Sequence, residues 1–98
     1  MIRGTTPTHV FKTNKDLTGV EVLFITYQQG GVVVEKTIDD VEITEDSVRT
    51  TLTQEDTLRF NYIGDVCMQI RARFPDGTAV ACKEIYRPVS DILKEGVI

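Results

Sequence analysis

Hydrophobic positions along this chain recur mostly every second residue rather than every 3.6. Val66, Met68, Ile70, Ala72 and Phe74 alternate with Cys67, Gln69, Arg71 and Arg73. An extended segment with this pattern is apolar on one face and charged on the other, as a half-buried antiparallel strand requires. The run stops at Pro75-Asp76-Gly77-Thr78, where Gly77 can take a positive φ, and residues 79–87 return as the second strand of a hairpin. Residues 20–27 are β-branched and aromatic with almost no polar alternation in the middle, which predicts a central strand buried on both faces. Gln28-Gln29-Gly30-Gly31 reads as a turn, and residues 32–38 as the returning strand of another hairpin. Asp39-Asp40 interrupts it. Val41 and Ile43 mark a short strand, Glu45-Asp46 a turn, and Val48, Thr50 and Leu52 alternate again. Residues 9–13 form a short first strand after Pro7.

Two places read as helical turns. Thr53 is suited to cap a turn through Gln54-Glu55-Asp56, with an acid three residues on and Leu58 and Phe60 packing inward. Residues 90–95 are a second candidate, capped by Ser90 and stopped at Gly96. The result is an all-β antiparallel β-sandwich of six or seven short strands with one or two short helical turns, since each sheet alone would leave an apolar face in water. The predicted core is Phe11, Val20, Val22, Phe24, Val33, Ile38, Leu52, Leu58, Phe60, Met68, Ile70, Phe74 and Ile85.

Ninety-eight residues suit one domain, 1–98. The net charge is −4, spread as −3 over residues 1–49 (five basic, eight acidic) and −1 over 50–98 (six basic, seven acidic). That balance disfavours nucleic acid and anionic membrane as partners. No apolar run reaches the roughly 20 residues of a membrane span, and the first residues lack the apolar core of a secretory signal. The expected location is therefore one without secretion through a signal peptide.

The chemistry-bearing residues are few. His9 is the one imidazole, and Cys67 and Cys82 the two thiols. A Cys–His nucleophile is weighed against two ordinary sheet cysteines, and no flanking feature activates either thiol. In a hairpin centred on Asp76-Gly77, opposed residue numbers sum to 153, so Cys67 faces Tyr86 and Cys82 faces Arg71. The thiols then lie roughly 13 Å apart along the ribbon at 3.3 Å per residue, too far for a disulfide, and both are expected free. The same register sets Glu84 opposite Gln69 and diagonal to Arg71. Arg71, Arg73 and Glu84 are therefore either a solvated polar face or an interface patch. Asp39, Asp40, Glu42, Glu45 and Asp46 place five acids in eight residues. Their spacing does not match a calcium loop, and a charged edge that blocks strand pairing is the favoured reading. No paired acid and base, phosphate loop, metal set or cofactor motif stands out. Tyr27, Tyr62 and Tyr86 would have to gather on the surface for a sugar-binding platform. Residues 1–7 read as a flexible arm or an edge strand crossing to a neighbour. Val97 and Ile98, in the 89–98 tail, are apolar side chains suited to docking on another subunit, with fraying in solution as the alternative.

Three elements in order carry a family resemblance: Asp16-Leu17-Thr18-Gly19-Val20 before a strand, Leu52-Thr53-Gln54-Glu55-Asp56-Thr57 after the mid-chain strand, and Pro75-Asp76-Gly77-Thr78 in the last hairpin. Together they resemble the small immunoglobulin-like domains of tailed phages and of prophages of Gram-positive bacteria, including the N-terminal domain of baseplate upper proteins. Residues 1–7 and Leu93-Lys94-Glu95-Gly96-Val97-Ile98 are also similar to short prophage proteins. Asn61-Tyr62-Ile63-Gly64-Asp65 departs from the pattern, which has Pro-Gly there. The resemblance implies an immunoglobulin-like sandwich and a non-enzymatic structural part of a tail or baseplate. It implies virion subunits or further copies of the chain as partners, assembly in the host cytoplasm, and no catalytic residues. A carbohydrate-binding adhesion module is the alternative.

Overall fold

The protein is described as a computed structural model covering residues 1–98. Its organising pair is β2 (Val22–Gln29) against β6 (Val66–Arg73), the two longest strands, paired antiparallel along nearly their whole length. β6 buries Val66, Met68, Ile70 and Ala72, as its alternation predicts. Antiparallel partners share a face, so β6 sets which residues of β2 point inward. Met68 faces Tyr27, Ile70 faces Ile25 and Ala72 faces Leu23, and all three β2 residues are buried. β2 is therefore not buried on both faces. Val22 and Phe24 lie on the outer face, where Phe24 is 37% exposed. Periodicity could not set this phase because both faces of residues 20–27 are apolar.

β3 (Val32–Thr37) pairs with the other side of β2 across a two-residue loop, and Gly30 at φ 56° supplies the positive angle its first position needs. The same one-residue error of phase applies here: Val34 is buried, and the predicted core residue Val33 is 40% exposed. A single 3-10 turn (Ile38–Asp40) carries the chain to the second sheet, which has the order β1–β5–β4. Its strands are β1 (Thr8–Lys12), β4 (Val41–Ile43) and β5 (Ser47–Thr51). Val48, Thr50 and Leu52 are buried, as their alternation predicts, and Phe11 joins them from β1. Nine inward residues absent from the predicted core, Leu17, Leu23, Ile25, Tyr27, Val34, Val48, Val66, Ala72 and Val89, fill the space between the sheets.

The last hairpin differs from expectation in one register step. Phe74 N–H donates to Thr78 O and Gly77 N–H to Phe74 O, so the loop holds three residues with Gly77 at φ 91°. Opposed numbers then sum to 152: Arg71 faces Ala81, not Cys82. Between β7 (Ala79–Ala81) and β8 (Ile85–Arg87) one extra residue bulges, and Cys67 faces Tyr86 as predicted. The single predicted strand is thus two, and the strand total is eight. Both cysteines are free.

Thr53 caps α1 (Gln54–Leu58) as its position predicts: its Oγ1 accepts from Asp56 N–H, and Asp56 Oδ2 accepts from Thr53 N–H. Asp56 also pairs with Lys36 of β3 at 2.7 Å, which ties the turn to the larger sheet. Burial pushes the Asp56 carboxyl up, but the Lys36 ammonium and the Thr53 hydrogen bonds hold it below the usual carboxylate range. The departing loop is held by Gln29, whose side chain accepts from Asn61 N–H and donates to Asn61 O and Gly64 O.

Residues 90–95 form no helix. Six residues cannot sustain one without support, and here the N-terminal segment takes their polar groups. Met1 O accepts from Ser90 N–H, Arg3 N–H donates to Ser90 O, and Ile2 and Ser90 make a parallel bridge. The Met1 ammonium reaches Pro88 O at 2.8 Å. The Arg3 guanidinium donates to Phe60 O and Leu58 O below α1, and to Asp91 and Glu95 on the other side. Residues 1–3 are thereby seated on the molecule's own C-terminal segment, and Thr5 O and Pro7 O accept from the Thr57 hydroxyl and Leu52 N–H, so residues 1–7 lie along this molecule rather than extending to a neighbour. Gly4, at φ 70°, lets the chain pass Ile92: a Cβ there would come within 2.9 Å of Ile92 Cδ1.

Two measurements check this arrangement. Ile25→Ala should cost about 3 kcal/mol in urea unfolding and Phe24→Ala less than half as much, the reverse of what the predicted core, with Phe24 and without Ile25, implies. Arg3→Ala should cost about 2–3 kcal/mol, because the carbonyls of Leu58 and Phe60 lose a charged donor.

Candidate functional site

The two sheets do not close equally on both sides. On one side, the 3-10 turn runs directly from β3 to β4, with Ile38 packed against the core. On the other, β1 is the free edge of the small sheet, and β7 with β8 is the free edge of the large one. Between these edges lies an open groove of about 640 Å³. Met68 and Ile70 of β6 form its floor. β1 and the residues after it form one wall, and residues 80–83 with Ile85 and Arg87 the other.

The groove's charge is one-sided. Lys12, Lys15, Lys83 and Arg87 line it beside His9, and no carboxylate does. None of the four cations makes an ion pair; the cations that do are Arg3, Lys36 and Arg73. Lys15 instead sits over the Phe74 ring, 4.8 Å from its centroid. Thr13 Oγ1, in the same wall, is buried with no hydrogen-bond partner.

The one imidazole and one of the thiols line this groove from opposite walls. His9 Nδ1 is 2.8 Å from the hydroxyl of Tyr27, and this bond crosses from β1 to β2, one sheet to the other. Tyr27 is wholly buried, so its hydroxyl needs an internal partner, and His9 supplies it. Burial pushes the tyrosine well above its usual range. Burial also lowers the His9 pKa, helped by the N-terminal ammonium and Arg87, so the ring is held neutral. Cys82 Sγ accepts from Ile70 N–H at 3.2 Å. No hydrogen bond joins His9 to Cys82, and both groups are occupied by structural partners. No local pattern in the sequence signals the His9–Tyr27 bond. Its only signal is parity: once β6 fixes the inward face of β2, Tyr27 must be buried and must find a polar partner.

The other predicted site residues lie elsewhere. Arg71 and Arg73 stand on the outer face of the large sheet, Arg71 across from Phe24 and Arg73 paired to Glu21 at 2.9 Å. Glu84 does not pair with either arginine. It accepts from the Tyr86 hydroxyl at 2.6 Å, and that bond pushes Tyr86 up to about 12. Val97 and Ile98 are exposed beside the start of α1, where the Gln54 side chain makes two hydrogen bonds to the Ile98 backbone. Tyr27 is buried and takes no part in an aromatic surface; Tyr62 and Tyr86 are exposed. Asp39–Asp46 forms the opposite edge of the small sheet from β1. Asp40 and Asp46 are spent there on turn hydrogen bonds to Thr37 and Thr44, and no group of three or more His, Cys, Asp or Glu side chains is arranged to hold a metal ion.

The histidine gives a pH prediction. The unfolded imidazole titrates near pH 6.5 and the folded one lower, so the unfolded chain takes up the proton first. Stability should fall as pH drops below about 6.5, and His9→Gln, which keeps a partner for Tyr27, should flatten that fall in urea titrations between about pH 6.5 and 5. In iodoacetamide labelling, the exposed Cys82 should react ahead of the half-buried Cys67, read by mass spectrometry of the two peptides. No family model matches this chain, and no curated protein or solved structure is similar enough to match it.

Proposed function

We propose that this chain is a non-enzymatic protein-binding module that docks its partner along the open side between β1 and β7–β8. The observation that carries the reading is the groove itself: two unpaired strand edges flank an apolar floor, and four cations without carboxylate partners rim it. An unpaired edge is a template for another strand, and the cations favour a partner carrying acids. The resemblance to small immunoglobulin-like virion domains extends the proposal: the module is a structural part of a tailed phage or prophage, in the tail or baseplate, and its partners are virion subunits.

One specific observation favours a second reading, thiol chemistry, since His9 and Cys82 share the groove. Their occupation by Tyr27 and by Ile70 N–H weighs against it, because a nucleophile and its base must reach one another.

The test is co-purification with, and titration against, the proteins encoded by the genes on either side of this one. Lys12→Glu with Lys83→Glu should weaken such a complex at least about tenfold, while Arg71→Glu on the outer face should leave it unchanged. No binding to any neighbour, or loss through Arg71 alone, would overturn the reading.

A further inference from the structure

The two edges of the small sheet carry opposite charge. β1 and the groove beside it hold Lys12, Lys15, Lys83 and Arg87 without an acid. β4 and its flanks, residues 39–46, hold five acids without a base. In the sheet order β1–β5–β4 these are the two free edges, on opposite sides of β5. Both have backbone groups to offer. Leu52 N–H donates to Pro7 O and Thr13 N–H to Asp46 O, so the bonded residues of β1 are the odd-numbered ones, and Thr8, Val10 and Lys12 turn N–H and C=O outward. Thr44 N–H donates to Ser47 O, so on β4 it is Val41 and Ile43 that turn theirs outward.

From this juxtaposition we infer that the occupant of the β1 edge is a second copy of this chain, seated by its acidic β4 edge so that the small sheet continues from one molecule into the next. Because the two edges differ, the contact is heterologous: each copy offers one of each, and the association repeats head to tail as a row or ring. The inference rests on the reading of the open side as a docking surface and names its partner. The net charge of −4 repels copies at a distance, so attraction is confined to the meeting edges, where charges come within the screening length of about 10 Å at 0.1 M salt. The three residues of β4 make a short pairing. The contact is therefore weak and concentration-dependent.

Sedimentation equilibrium of the full chain, run over a protein concentration series, tests it. The average mass should rise with concentration in low salt and return towards the monomer in about 0.5 M salt. Lys12→Glu with Lys83→Glu should abolish the rise, and so should Glu42→Lys with Glu45→Lys; none of these side chains makes a hydrogen bond or ion pair within the chain. Mixed one to one, the two double variants should associate again, because the acidic β4 edge of the first meets the basic β1 edge of the second. A strict monomer at every concentration, association that neither double variant weakens, or a mixture that stays monomeric would overturn the inference. A monomer that still binds a virion neighbour through Lys12 and Lys83 would overturn the inference and leave the proposed function standing.

Discussion

The structure turns on covering the inner face of β2 and β6. Leu23, Ile25 and Tyr27 on one strand and Val66, Met68, Ile70 and Ala72 on the other present a continuous apolar surface to a single side. Only a second layer can take it out of water. The layer available is a three-stranded sheet with strands of three to five residues, set against a sheet built on two eight-residue strands. The smaller sheet cannot roof the larger one from edge to edge. The space left over is met by α1 and Phe60, by Leu17 and Val20 before β2, and by the seated termini with Val89. On the side of β1 and β7–β8 the roof stays incomplete, and that is the groove.

Polar bonds fix the layers where apolar packing would let them slide. The His9–Tyr27 bond joins the sheets through the core, and the Lys36–Asp56 pair joins the large sheet to the capping box of α1. Arg3 gathers the end of α1, the C-terminal segment and the N-terminus into one clasp. Each depends on groups far apart in the chain, so each stabilises the assembled sandwich and none of its parts.

The same geometry separates docking from chemistry. The groove is broad and open, and its titratable groups are cations and one neutral imidazole already bonded to a buried tyrosine. Acids are absent from it, and five of the chain's fifteen lie on the far edge of the small sheet. The proposed docking role draws on charge sorted to two edges, whereas a reaction would need acid, base and nucleophile brought together.

How much of this was legible in the sequence depends on whether a segment's two faces differ. β6 reads correctly residue by residue because its polar positions alternate without exception, and the Thr53 cap reads correctly because capping is settled within four residues. The expectation for β2 and β3 erred by one residue, since both parities of those runs are apolar and only pairing with β6 selects the inward one. Residues 90–95 carry local helix signals, yet their backbone groups find partners in residues 1–3, eighty-odd positions away. The cations of the groove lie in two clusters some seventy residues apart, and no spacing rule joins them until β1 and β8 are set on facing edges. The sequence by itself determined the layered β class, the turns, the cap and the free thiols, because each follows from short-range alternation, local hydrogen bonding or ribbon geometry. The tertiary structure alone decided which face of β2 is buried, which tyrosine needs a histidine and which side stays open, because those follow from long-range pairing and from the unequal size of the two sheets.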